Sequence, residues 1–333
     1  IAEKVDEKLI DRVAANPHPF FQATAAGIAG APSAGYLEKV MAAVRAVVGV
    51  QQEKKVIVNL TYRCNNHCTF CAVGDRPRRD ADFGHVLEML EQYHAKGFRL
   101  LDIDGGEPTL HPRLFDLVER ARRIGYEGIT VVTNGRRAFY RPFARRLAAS
   151  GLDRVLVSIH SHRKRAQTAL TGVEDSWRQT TTGIENLLEA FGTTGRVAVN
   201  TTVVSSNLDG LPSMLNWLYS MGVAQWNLQF VTPFGRAKAD HVPPAKQLRE
   251  TIYEVMRQAA DKMTVRLVNF QPCLLPRYWR ECLGDFGKSA RHMVFIGQDA
   301  GNLQEFLAGR RHKPPRCCRC PFDFACRGLY RFE

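Results

Sequence analysis

No run of about eighteen apolar residues interrupts the chain and no signal-peptide pattern opens it, so neither a membrane span nor export into an oxidising compartment is expected. Repeats and low-complexity tracts are also missing. What remains is an ordinary globular composition, 45% hydrophobic and 24% charged, with ample material for a core. Acid is scarce beside base: 33 Asp and Glu against 46 Lys and Arg leave a net charge of +13, which favours an anionic partner. Nucleic acid is one such partner and a phosphorylated small molecule another. Cysteine is too irregular for a disulfide framework, because nine is an odd number and the chain is long. The thiols therefore belong in a reducing cytoplasm.

Against these absences stands Cys64-Asn65-Asn66-His67-Cys68-Thr69-Phe70-Cys71, delivered straight after the apolar run Val56-Ile57-Val58-Asn59-Leu60. The spacing sets three thiolates on one tight loop at a strand end. Three sulfurs close neither a tetrahedral nor a cubane site, so one coordination position stays open to something other than protein. A zinc site joined by His67 would need a second ligand pair nearby. The next cysteine is Cys273, and the residues before Gly105 read instead as one amphipathic helix and one strand. The C-x3-C-x2-C spacing with an aromatic before its last cysteine, followed by Gly105-Gly106-Glu107-Pro108, resembles the radical S-adenosylmethionine (radical SAM) enzymes.

Short apolar or β-branched segments at Val56–Leu60, Leu100–Asp104, Ile129–Thr133, Arg154–Ile159, Arg196–Val204 and Trp226–Val231 alternate with helical spacing at Val86–Lys96, Pro112–Ile124, Arg141–Ser150, Ser176–Phe191 and Leu211–Met221. Asp209 or Asn207 is placed to cap the last of these. Five β-to-α-to-β steps imply an α/β fold with a parallel sheet. Periodicity alone also permits a doubly wound sheet; the resemblance implies a partial (βα)6 radical SAM barrel. The expected layout is an N-terminal helical segment at 1–55, with helices at Glu3–Ala15 and Tyr36–Val50, the barrel at 56–235, and a C-terminal Cys-rich auxiliary-cluster domain at 236–333. That last part opens with a helix at Pro244–Lys262 and a strand at Thr264–Val268.

In parallel βα architectures ligands collect at the C-terminal strand ends, and every motif here falls at or near one. By resemblance, Cys64, Cys68 and Cys71 bind three irons of a [4Fe-4S] cluster, while S-adenosylmethionine chelates the fourth. Gly105, Gly106 and Glu107 match the element that receives its methionine amino group. Phe70 matches the aromatic position beside the adenine. Asn134, Ser158 and Asn200 are candidate ribose or carboxylate partners by placement, although a strand residue such as Asn200 equally well pairs with neighbouring backbone. The family's chemistry implies cleavage of S-adenosylmethionine to a 5′-deoxyadenosyl radical, hydrogen abstraction from a substrate, and an electron donor such as flavodoxin or ferredoxin.

Cys273 and Cys282 precede a terminal group, Cys317, Cys318, Cys320 and Cys326. Cys317-x2-Cys320-x5-Cys326 resembles the core of the SPASM extension that binds auxiliary iron–sulfur clusters, but six tail thiols cannot ligate two clusters fully. One auxiliary cluster, as in the shorter Twitch version, is the better reading, with Cys273, Cys282, Cys317, Cys320 and Cys326 as its candidate ligands and the choice between Cys317 and Cys318 open. A zinc knuckle built from four of the six is the alternative. Cations crowd the catalytic-end loops, at Arg76, Arg78, Arg79, Arg136, Arg137, Arg163, Lys164, Arg165, Arg236 and Lys238; of these Arg136, Arg137, Arg163 and Arg165 are expected to ring the barrel mouth, and clustered guanidinium forks suit phosphate or carboxylate. His160 and His162 are placed for acid–base work or substrate contact. An anionic, phosphorylated or nucleotide-like small molecule is the expected substrate, with a ribosomally made peptide second. A reading of another class, a non-catalytic basic iron–sulfur or zinc protein binding nucleic acid, uses the charge and the tail but leaves Gly105-Gly106-Glu107 unexplained.

Overall fold

The computed structural model describes residues 54–192, 195–283, 291–297, 301–319 and 326–332. The helices expected at Glu3–Ala15 and Tyr36–Val50, and Cys320, lie outside them. From β1 (Lys55–Thr61) the chain alternates through α1 (Phe83–Ala95), β2 (Leu100–Gly105), α2 (Leu114–Ile124), β3 (Gly128–Thr133), α3 (Arg141–Ala149) and β4 (Arg154–Ser158). Helices α4 (Lys164–Thr171) and α5 (Ser176–Phe191) lead to β5 (Val197–Val203), α6 (Leu211–Ser220) and β6 (Gln225–Phe230). Then come α7 (Ala245–Ala259), β7 (Thr264–Val268), α8 (Trp279–Leu283), β8 (Arg291–Val294), β9 (Gly301–Asn302), α9 (Leu303–Ala308), β10 (Arg311–His312) and β11 (Leu329–Tyr330).

The main sheet has the order β7-β6-β5-β4-β3-β2-β1-β8-β9, parallel from β7 through to β8, with β9 antiparallel at the edge. This is an α/β fold with a mostly parallel central sheet, consistent with a radical SAM barrel. Strand pleating divides its residues between two faces. Leu101, Ile103, Ile129, Val131, Val155 and Val157 turn outward and are fully buried against Leu90, Leu117, Leu147, Ile184 and Leu187 of the helices. Each such side chain contributes on the order of 1.5–3 kcal/mol. The other face of β2 carries Asp102 and Asp104, and β4 and β5 place Ser158 beside Asn200 in register.

Three differences from the sequence reading have physical causes. The sheet continues past residue 235, because β7 pairs with β6 and β8 with β1. A helix forms at Lys164–Thr171, where the sequence reading has only a polar loop. Neither Asp209 nor Asn207 caps α6, whose first residue follows Gly210 without a side-chain cap. Asn207 instead accepts the Val204 N–H at 2.9 Å and donates to His160 O and Thr202 O, tying the ends of β4 and β5 together.

Candidate active site

The Cys64–Cys71 loop is held by four separate elements. The His67 and Thr69 N–H groups donate to Thr171 O (2.7 Å) and Leu170 O (3.0 Å), carbonyls in the last turn of α4 that find no partner within the helix. From the end of β3, Asn134 Nδ2 donates to Asn65 Oδ1 at 2.7 Å and stands 3.9 Å from Cys64 Sγ. The Arg136 guanidinium donates to Asn65 O, to Asn66 Oδ1 at 3.0 Å and to Gln179 Oε1 of α5 at 2.6 Å. After β6, the Arg236 N–H donates to Cys71 O at 3.0 Å. Within the loop the Asn66 N–H donates to Cys64 Sγ at 3.3 Å.

The second motif packs beneath the first. Gly106 N donates to Thr61 O at 2.6 Å and Glu107 N to Arg63 O at 2.8 Å, so the two loops share backbone hydrogen bonds. A Cβ on Gly105 would collide with Thr61 O and one on Gly106 with Arg63 O, and Gly105 has φ +123°. Only glycine permits this approach. Glu107 is completely buried. Its Oε1 accepts from Thr109 N (3.0 Å), Thr109 Oγ1 (2.5 Å) and Thr133 Oγ1 (2.7 Å), and its Oε2 from Asn134 N (2.6 Å). Burial raises its pKa despite these donors. The carboxylate brackets the β2 and β3 ends, and Oε2, with one partner, retains acceptor capacity for an ammonium.

The remaining candidates divide. Phe70 is buried, edge-on to His160 with centroids 4.8 Å apart and to His241 at 6.4 Å. His160 accepts the Thr202 N–H on Nδ1 at 3.2 Å, which leaves the proton on Nε2, and burial pushes its pKa down to about 4. It is a neutral ring at pH 7, not a proton-exchanging group near neutrality. His162 is likewise lowered by burial. Of the four arginines expected to ring the mouth, two turn inward: Arg136 serves the cysteine loop, and Arg137 donates to Thr109 O and lies over the Phe143 ring at 4.3 Å. Arg163 pairs with Asp209 at 2.8 Å, and Arg165 is exposed on α4. These four are therefore not one cluster of open forks. The sequence reading also missed the α4 carbonyls, Asn65, Asn66 and Gln179 as partners of the loop. Backbone acceptors leave no residue-type signal to read.

Residues 58–218 match the family model described as the Radical SAM superfamily. The chain carries a radical SAM domain. The protein is an enzyme, and the non-catalytic nucleic-acid reading falls away. Among curated relatives, a probable GTP 3′,8-cyclase of Sulfurisphaera tokodaii is 27% identical over 220 residues, covering 65% of this chain and 67% of its own length. One of Methanopyrus kandleri is 32% identical over 190 residues, covering 56% of this chain and 58% of its own. The crystal structure of Streptococcus suis SuiB bound to S-adenosylmethionine aligns with a TM-score of 0.63 at 15% identity, over 90% of this chain and 79% of that one. At that identity the shared feature is the fold.

The radical SAM family implies a [4Fe-4S] cluster and S-adenosylmethionine, and the loop fits the cluster. Burial pushes the Cys64 thiol up to about 11, with Glu107 and Cys71 adding charge repulsion. Burial, then Cys71 and Cys64, pushes Cys68 up to about 12. Three mutually repelling thiolates in such a place need concentrated positive charge between them. Among the described residues no group of three or more His, Cys, Asp or Glu side chains is arranged to hold a single metal ion. The described tail cysteines are more scattered: Cys282 is buried in the core, Cys273 and Cys318 are exposed, and Cys317 and Cys326 are half-buried. Pairing of β10 with β11 draws together the ends of the segment carrying Cys317, Cys318 and Cys326. No described helix is long and apolar enough to cross a membrane.

Proposed function

We propose that this enzyme uses S-adenosylmethionine to abstract a hydrogen atom from an anionic, nucleotide-like small molecule. When bound, the cluster supplies the electron that splits S-adenosylmethionine into methionine and a 5′-deoxyadenosyl radical. The chain's own residues hold and orient. Cys64, Cys68 and Cys71 are the ligands, and Asn134, Arg136 and α4 keep their loop in one shape. Gly105, Gly106 and Glu107 would receive the methionine end, with Phe70, Ser158 and Asn200 along the nucleoside end. Burial of Glu107, His160 and Phe70 keeps water and alternative hydrogen donors away from this floor.

The observation that carries the reading is the three-thiol loop clamped against Gly105-Gly106-Glu107. The choice of a nucleotide is supported by the net charge of +13 and by relatives whose name specifies GTP. Arg163 and Arg165 remain the candidate anion contacts. In the tail, Cys273, Cys282, Cys317 or Cys318, Cys320 and Cys326 would hold one auxiliary cluster.

The test is anaerobic reconstitution with iron and sulfide, followed by S-adenosylmethionine, dithionite and a panel of nucleoside triphosphates beginning with GTP. Nucleotide-dependent 5′-deoxyadenosine is the expected result. Formation of 5′-deoxyadenosine that no nucleotide stimulates would return the substrate to a peptide, and none under any condition would refute hydrogen abstraction itself.

A further inference from the structure

Arg236 lies on the loop after β6. Among the described residues it makes no ion pair, and its Nε is buried without a hydrogen-bond partner. Its position is fixed from both ends. The Arg236 N–H is bonded to Cys71 O, and a Cβ on neighbouring Gly235, which has φ +60°, would collide with that same carbonyl. Its guanidinium lies flat on Gly74, three residues past Cys71, where a Cβ would strike Nε, Cζ and Nη2. The missing side chain at position 74 is what admits the guanidinium. Its charge acts on Cys68, against the larger raising effect of burial. A half-buried guanidinium bonded through its own backbone to the cysteine loop, with no acidic partner among the described residues, is costly to leave without an anion.

We propose that Arg236 is a positioning residue for the cluster's charge: its guanidinium, seated on Gly74, faces the anionic iron–sulfur group held by Cys64, Cys68 and Cys71 and raises that group's reduction potential. Net charge, hydrogen bonds to sulfur and solvent exposure set such potentials. One-electron reduction adds a negative charge at the cluster, and a fixed cation favours the reduced state over the oxidised one. The electron comes from an external reductant such as dithionite.

The proposal rests on the cluster assignment, and the experiment separates the two. Wild type, Arg236→Lys, Arg236→Gln and Gly74→Ala are reconstituted anaerobically, assayed for iron, and titrated with dithionite at set potentials while the reduced cluster is followed by electron paramagnetic resonance. Gly74→Ala leaves the charge in the chain but pushes the guanidinium from its seat. At a fixed potential, Arg236→Gln and Gly74→Ala should lower the ratio of reduced to oxidised cluster about tenfold, ~59 mV for one electron, with Arg236→Lys recovering most of it. Unchanged ratios at equal iron content overturn the proposal. If Arg236→Gln does not retain iron, rescue of retention by Arg236→Lys supports it, and failure of rescue, or an unchanged ratio in Gly74→Ala, overturns it. Absence of iron in the wild type refutes the cluster instead.

Discussion

Cys64, Cys68 and Cys71 occupy one short stretch whose backbone is tied to α4, to the β3 and β6 loops and to the Gly105-Gly106-Glu107 turn, whereas the tail cysteines are spread between an exposed segment, the core and a short turn. In the first group, hydrogen bonds from the surrounding elements fix the loop. In the second, cysteines far apart in sequence are accompanied by short described strands, β9, β10 and β11 being two residues each. A pre-built loop costs conformational entropy that the barrel has already met. The tail cluster proposed above would draw that ordering energy from its metal.

The largest effect should come from replacing all three of Cys64, Cys68 and Cys71 by Ala. Formation of 5′-deoxyadenosine should vanish while thermal unfolding shifts by no more than a few degrees, because the loop is hung on the barrel rather than supporting it. A collapse of the fold would show that the loop depends on its metal, as is proposed for the tail.

Glu107→Gln should come next. An amide can accept at one atom only, so a donor is turned toward Thr109, Thr133 or Asn134, and an ammonium partner is lost. Calorimetric affinity for S-adenosylmethionine should fall by about 1.5–3 kcal/mol with iron content retained. Unchanged affinity would make Glu107 a bracket between strands and nothing more.

His160 offers a pH test of how tightly the first region is packed. Its folded pKa lies near 4, below the ordinary value of 6.5, so its contribution is complete above pH 6.5 and is lost as pH falls toward 4. Between pH 7 and pH 5 the unfolding free energy should drop by about 2 kcal/mol more in the wild type than in His160→Gln. Equal drops in urea titrations at the two values would mean that the ring is open to solvent.

Arg136→Lys keeps the charge but not the fork that bonds Asn65, Asn66 and Gln179. Loss of iron to a chelator should accelerate about tenfold, ~1.4 kcal/mol, against no change for Arg165→Gln. Smallest in factor, replacing Cys317, Cys320 and Cys326 by Ala should halve the iron from about eight to about four atoms and spare basal cleavage of S-adenosylmethionine. Stoichiometric zinc in the wild type, lost in that variant, would establish the knuckle instead.

Local patterns carried much of this protein. The period-2 runs at Ile129–Thr133 and Thr264–Val268 and the helical stripe over Ser176–Phe191 each became the element they suggested, because one face of each had to be buried. The cysteine loop and Gly105-Gly106-Glu107 were readable because their chemistry needs particular residues at short separations. Arg136 and Arg137 were not. A guanidinium reads as an anion receptor in sequence, and only the fold shows that its partners are Asn65 O and Thr109 O.

Sequence alone therefore marked the cysteines proposed to bind metal and determined which runs had to be strands or helices, since side-chain chemistry and hydrophobic periodicity are local properties. Tertiary structure decided which cations face solvent, which hold a loop and which is seated against Gly74. Those outcomes depend on backbone carbonyls and on spaces such as the one above Gly74, brought together by elements far apart in the chain.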